Sequence, residues 1–268
     1  MKMRDGCLPT GSDMSRRRRS LGQHFLNSAK IAGRIANTVK IDGNTVVEIG
    51  SGKGILTRQL ARRAARVIAV EIDGELTAYL RGLQLPGVVV LNRDFLNVDL
   101  GQWDMPTVIG NIPYSLTSAI LDKLVEYKKD ISRVVLTIQK EYGDRMLASV
   151  GGSAYGYITV YTNHHFFARK EFIIPSRFFS PEPKVGSVVL TLEPRKSSYD
   201  IEYEDRFFAF VEGIFRYRRK VLRNAILNHL KYLPDGIADD ALRKRPQHLS
   251  VDDFHSIFQA VLRYDEKA

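Results

Sequence analysis

Apolar residues fall along this chain in two rhythms, unbroken runs and helical spacing. The unbroken runs are Thr45-Val46-Val47-Glu48-Ile49, Val67-Ile68-Ala69-Val70-Glu71, Val88-Val89-Val90-Leu91, Thr107-Val108-Ile109-Gly110 and Val134-Val135-Leu136-Thr137-Ile138-Gln139. Runs of that length predict buried strands. Helical spacing lies between them. Ile31, Ile35 and Val39 share one face over Ser28–Val39, Leu56, Leu60 and Ala64 point inward after Gly54, and a further helix is expected from Ser115 to Tyr127. Strands alternating with helices predict an open α/β sheet. Beyond it, Lys140–Val150 is expected to be helical and residues 151–156 a mobile loop. Tyr157–Asn163 and Val185–Leu192 are expected to be strands. The texture changes after Arg195. Phe207, Phe208, Val211, Ile214 and Phe215 recur at helical spacing, as do Val221, Leu222, Ala225 and Ile226, which predicts a small helical domain. The expected organisation is a basic arm over 1–20, an α/β domain over 21–195 and a helical domain over 196–268.

The chemistry sits at the ends of the expected strands, where open α/β sheets bind ligands. Gly50-Ser51-Gly52-Lys53-Gly54 follows the first strand, and such a turn lets backbone approach a ligand closely. Three readings compete for it. A phosphate loop fails, because Val47 stands where its leading glycine belongs and Gly54 replaces the hydroxyl residue after Lys53. A dinucleotide fingerprint is weakened by Ile55 in place of the third glycine. Glu-x-Gly-x-Gly-x-Gly, running from Glu48 to Gly54, is the pattern of S-adenosylmethionine sites. Glu71 ends the second strand, where a carboxylate accepts from both ribose hydroxyls of either cofactor; the rival is a solvated strand-end acid. Asp94 and Phe95 follow the third strand, placed to accept from a purine amine and to pack on its ring; alone, Asp94 reads as a turn residue.

The fourth strand leads to Asn111-Ile112-Pro113-Tyr114. The Asn111 side-chain oxygen and the Ile112 carbonyl both accept from an exocyclic amine, and Pro113 favours an extended geometry before it. The Tyr114 ring can stack on a base. Together they suit an adenine amine held for attack on an electrophile, against the plainer reading of a proline turn with Tyr114 in the core. Phe179 lies in a proline-stiffened loop from Pro175 to Val185, either as a second wall for that base or as core.

Composition narrows the class. With 268 residues, 44% hydrophobic and 26% charged, the chain has ample core and is not disordered as a whole. No apolar run approaches bilayer length, and Met1–Asp13 lacks the core of a secretion signal. Cys7 is the only cysteine, which excludes an internal disulfide and a cysteine metal cluster and fits a reducing, cytoplasmic setting. A transit role for Arg16–Arg19 competes with that of a solvated basic extension. The net charge of +10 favours a polyanion, and nucleic acid in particular because the basic residues cluster. Arg216, Arg218, Arg219, Lys220 and Arg223 form one such edge.

From about Leu21 to the C terminus, the ordered set of motifs resembles the rRNA adenine dimethyltransferase family, in particular its small-subunit branch. Gly22-Gln23-His24-Phe25-Leu26 is similar to the family's opening motif, Glu48–Gly54 to its cofactor loop and Asn111–Tyr114 to its catalytic tetrapeptide. Tyr155-Gly156, Phe179–Val185, the basic Phe215–Asn224 segment and Leu249-Ser250-Val251 are similar to the small-subunit branch. Antibiotic-resistance relatives acting on large-subunit rRNA lack a good match to Phe215–Asn224. The resemblance implies a Rossmann-like methyltransferase domain that uses S-adenosylmethionine, yields S-adenosylhomocysteine and needs no metal. It implies cofactor contacts from Gln23, His24, Leu26, Gly50, Gly52, Glu71, Ile72, Asp94, Phe95 and Asn111. It further implies that Asn111 and Ile112 hold the target amine while Tyr114 and Phe179 flank the base. The implied partner is small-subunit rRNA within a pre-ribosomal particle, bound by a monomer with no membrane attachment.

Overall fold

The computed structural model describes residues 24–196 and 199–266. The basic arm and Gln23 lie outside the described residues. In chain order the elements are β1 (Phe25–Leu26), α1 (Ala29–Ala36), β2 (Thr45–Ile49), α2 (Ile55–Leu60), β3 (Arg66–Glu71), α3 (Gly74–Gly82), β4 (Val88–Asn92), β5 (Thr107–Asn111), α4 (Thr117–Glu126) and β6 (Arg133–Gln139). Then come α5 (Lys140–Met146), α6 (Tyr157–His165), β7 (Phe166–Ile174), β8 (Phe179–Ser180), β9 (Ser187–Pro194), α7 (Ile201–Phe215), α8 (Leu222–Leu230), α9 (Asp239–Arg243) and α10 (Val251–Asp265).

Two compact units emerge. The first comprises residues up to Gln139 together with Glu171–Val189, and the second Lys140–Lys170 together with the chain from Leu190. Compactness therefore parts the chain elsewhere than at 195/196, because α5 and α6 go with the C-terminal helices.

In the first unit, β3 pairs in parallel with β2 and β4, and β5 with β2 and β6. The full sheet order is β4-β3-β2-β5-β6-β9-β7, and the last two strands run from one unit into the other. From β2 the chain winds outward through β3 and β4, then returns to the other side of β2 as β5. The order reverses between β2 and β5, which opens a crevice beyond their carboxyl ends. Close approach of these strands depends on Gly110: a Cβ there would stand 2.7 Å from the Ile49 Cβ and 3.1 Å from its carbonyl oxygen. Helix α1 closes one side of this core. Ser28 caps it by accepting from the Ile31 N–H, and Ile31, Ala32, Ile35 and Ala36 are buried in the same cluster as Val46, Val67 and Ile109.

The second unit is built on aromatic residues. Phe207, Phe208, Phe210, Val211 and Ile214 of α7 pack with Phe254, Ile257 and Phe258 of α10 and with Ala225 and Ile226 of α8. Ser250 and Asp253 form a reciprocal cap at the start of α10. The expected strand over Tyr157–Asn163 is instead helix α6. Its β-branched residues Ile158, Thr159, Val160 and Thr162 are all buried, and the Thr159 hydroxyl accepts from the Gly156 N–H at the first turn. Packing thus overrides a local preference for strand. Among the described residues no helix is long and apolar enough to cross a membrane.

Candidate active site

The glycine loop leaves β2 with Gly50, Gly52 and Gly54 all at positive φ, a region that L side chains avoid. Four of its amides are already engaged. The Gly50 and Ser51 N–H groups donate to the Val70 carbonyl at 2.9 and 3.1 Å, Gly52 N–H to Glu71 Oε2 at 2.8 Å, and Gly54 N–H to the Ser51 carbonyl. With the Gly50, Ser51 and Gly52 donors spent on β3, the loop has few N–H groups left to cradle a diphosphate. What remains toward the crevice is acceptor-rich, which suits a cationic sulfonium ligand. This counts further against a dinucleotide.

Glu71 is buried, and its other oxygen accepts from the Asp73 N–H at 2.9 Å, so the carboxylate is held at the strand tip from two sides. Asp94 accepts from the Leu96 N–H at 3.0 Å with one oxygen. Between them lies a largely apolar cavity of about 200 Å³, lined by Gly50, Glu71, Ile72, Asp94, Phe95 and Pro113 among others. Ile72 is exposed and Phe95 buried. The residues fit an adenosine: an apolar slot for the purine, an acid for its amine and a fixed acid for its ribose. Leu26 is mostly buried in the core and lines a small recess beside Gly50 and Gly52.

A second recess, of about 40 Å³, adjoins the first through Gly50, Glu71 and Pro113, and gathers His24, Asn111, Ile112, Tyr114 and Phe179. The Asn111 Nδ2 donates to the His24 carbonyl at 3.0 Å. With its amine spent, the carboxamide has its oxygen to offer a ligand. His24 is fixed in turn, its Nδ1 donating to the Pro181 carbonyl at 2.7 Å, and its ring centroid lies 5.6 Å from that of Tyr114. The Tyr114 hydroxyl is hydrogen-bonded to Ser187 Oγ at 2.9 Å, and burial pushes its pKa up, so it stays a neutral phenol. Phe179 is 3% exposed: it lines the recess and is packed in the core as well.

Sequence reasoning gave no role to Ser187 or Pro181, which bond to Tyr114 and His24 from 73 and 157 residues away and leave no local signal. Glu48 entered only as part of a pattern. It is 1% exposed, accepts from the Thr57 hydroxyl at 2.6 Å, and burial raises its pKa to about 7. It braces the loop from behind.

The basic edge lies in the second unit, in the turn from α7 into α8. Arg218 donates to the Ser153 and Tyr155 carbonyls at 2.8 and 3.3 Å, which makes it a staple for the 151–156 loop. Arg216 pairs with Glu212 one turn back, and Lys220 reaches Asn228. Arg219 and Arg223 are exposed. The ligand atoms of His164, His165 and Glu204 lie within 4.8 Å of one another. Hydrogen bonds account for His164, whose Nε2 meets Glu204 at 3.0 Å and whose Nδ1 meets His255 at 2.9 Å.

A parallel sheet with an acceptor-lined crevice at its reversal point defines the class: a Rossmann-like methyltransferase. The chain belongs to the ribosomal RNA adenine dimethylase family, whose model matches residues 14–261. It is 36% identical to the ribosomal RNA small subunit methyltransferase A of Geobacter sulfurreducens, over 93% of this chain and 97% of that one. Among solved structures it is similar to a dimethyladenosine transferase from Plasmodium falciparum, with a TM-score of 0.77 and 26% identity over 91% of this chain and 98% of the other. It is also similar to the 23S rRNA methyltransferase ErmE, with a TM-score of 0.72 and 28% identity over 88% and 98%.

Proposed function

We propose that this rRNA adenine dimethyltransferase places two methyl groups on N6 of each of two adjacent adenosines near the 3′ end of small-subunit rRNA. It acts as a cytoplasmic monomer on a pre-ribosomal particle, so that modification is coupled to subunit assembly. The observation that carries the reading is the Asn111 carboxamide, oriented by the His24 carbonyl within a recess that the Tyr114 and Phe179 rings also line.

S-adenosylmethionine, when bound, supplies an activated methyl group and leaves as S-adenosylhomocysteine. Glu71 and Asp94 would hold its adenosine, with Ile72 and Phe95 against the purine and Gly50, Gly52 and Leu26 along the loop side. Asn111 Oδ1 and the Ile112 carbonyl accept from the target amine. Adenine N6 is a poor nucleophile because its lone pair is delocalised into the ring. Two acceptors turn that lone pair toward the methyl carbon and meet the positive charge that grows on nitrogen as the N–C bond forms and the C–S bond breaks. The extra proton leaves to water, since neutral Tyr114 is no base. Tyr114 and Phe179 keep the extruded base in place. Because the donor is already activated, no metal is needed.

Support for the small-subunit target comes from the relatives' names and from the Phe215–Asn224 segment. Within it Arg216, Arg219, Lys220 and Arg223 face RNA, and Arg218 shapes the loop beside them. Asn111→Ala tests the reading. Turnover on small-subunit rRNA falls roughly 10²–10³-fold while RNA binding persists. Near-normal turnover removes Asn111 from the chemistry, and parallel assays on DNA decide the nucleic acid.

A further inference from the structure

A second cavity near buried ionisable groups lies away from the strand tips. It lies in the second unit, has a volume of about 530 Å³ and is lined by Asn163, His164, Arg195, Lys196, Tyr199 and His255 among others. Three features give it a chemical character. The first is a stacked floor. The Tyr199 ring lies 4.2 Å from Tyr203 at 9° and 4.7 Å from His255 at 14°. Those two rings are only 5.8 Å apart, too close for Tyr199 to be sandwiched between them. It caps the pair from one side, and its opposite face is turned away from them. Behind it the column is rigid, because His255 stacks on Phe207 at 4.0 Å and is hydrogen-bonded to both His164 and Tyr203.

The second feature is fixed positive charge at the cavity wall. The Arg195 Nε donates to the Phe166 carbonyl at 3.2 Å, and its guanidinium lies 3.6 Å above the Phe167 ring. Lys196 is exposed beside it. The third is Phe167 itself, 57% exposed, which leaves much of the ring beneath that guanidinium open to solvent. An exposed ring carrying a pinned guanidinium next to a ring-floored cavity is the combination that single-stranded nucleic acid uses, bases on rings and phosphates on cations. Asp252 and Asn163 in the same wall supply acceptors for a base edge.

The geometry points to a second RNA site: this cavity takes one unstacked nucleotide of the substrate RNA, other than the target adenosine. Its base lies on Tyr199, its phosphate meets Arg195 and Lys196, and the neighbouring base rests on Phe167. The inference rests on the reading of the substrate as RNA.

The test titrates the full-length protein with a five-nucleotide single-stranded RNA carrying 2-aminopurine, followed by quenching of its fluorescence. Tyr199→Leu weakens binding about 10-fold and abolishes most of the quenching, while Tyr199→Phe retains both. Lys196→Glu and Arg195→Ala also weaken binding, and each lowers the salt slope by about 0.7. Donor uptake is unchanged in all four. Should Tyr199→Leu not fold, Lys196→Glu and Arg195→Ala decide the matter by the same readout. Wild-type affinity in Tyr199→Leu and Lys196→Glu overturns the site, even if rRNA is methylated normally. The converse result, in which these variants lose the probe but the wild type methylates no RNA, upholds the site and defeats the reaction proposed above.

Discussion

Glu48 in the first unit and His255 in the second are both buried ionisable groups, and burial moves them in opposite directions. The carboxyl of Glu48 rises to about 7, chiefly through loss of water, against the opposing hydrogen bonds from Thr57 and Ser51. The imidazole of His255 falls to about 4, again chiefly through loss of water, with His164 adding to the shift. One cause, exclusion of charge from a poor solvent, gives an acid that keeps its proton and a base that refuses one. The two units therefore respond to pH with opposite sign. Between pH 4.5 and 7 the folded state holds the Glu48 proton that the unfolded chain releases, so this contribution to stability declines as pH rises. Between pH 6.5 and 4 the unfolded chain takes up a proton that folded His255 rejects, so that contribution declines as pH falls.

The largest effect that would break this comparison comes from His255→Ala. Truncation leaves a void against Phe207 and orphans two hydrogen bonds, and we expect a loss of about 3–4 kcal/mol in denaturant titration. A loss under 1 kcal/mol would mean that the ring column is ornamental. Next comes Glu48→Gln, which keeps an acceptor for the Thr57 hydroxyl but carries no charge. It gains about 3 kcal/mol over the parent at pH 8, and the gain vanishes below pH 4.5. A gain that does not vary with pH would refute burial as the cause. The smallest is Arg218→Met, which frees the Ser153 and Tyr155 carbonyls at a cost of about 1 kcal/mol. Arg219→Ala leaves stability unchanged and lowers RNA affinity instead, and equal behaviour of the two arginines would undo the distinction between staple and contact.

The first unit was legible in the sequence because its signals are local. Val46, Val47, Ile68 and Val108 sit in continuous apolar runs, and each run ends at a glycine, an acid or an amide within one or two residues. The second unit was less so. Tyr157–Asn163 carries β-branched residues that favour a strand in isolation, and only burial on several sides makes it helix α6. Strand β7 is masked by Arg169, Lys170 and Glu171 in its middle. At the site, the residues that carry chemistry could be named while the residues that hold them could not. Nothing near Asn111 announces that the His24 carbonyl will fix its amide, since the two are 87 residues apart. Phe179 shows a further limit: a ring can be wall and core at once, and spacing does not separate the two.

The turn after β2 has already given the N–H groups of Gly50 and Ser51 to Val70 and that of Gly52 to Glu71, so these three donors are spent before any visitor arrives. ATP and other adenosine phosphates, abundant in any cell, carry the same purine and sugar but bring negative charge to that spot. The site thus tells one adenosine from another by what it withholds, and a millimolar excess of ATP should leave methyl transfer untouched.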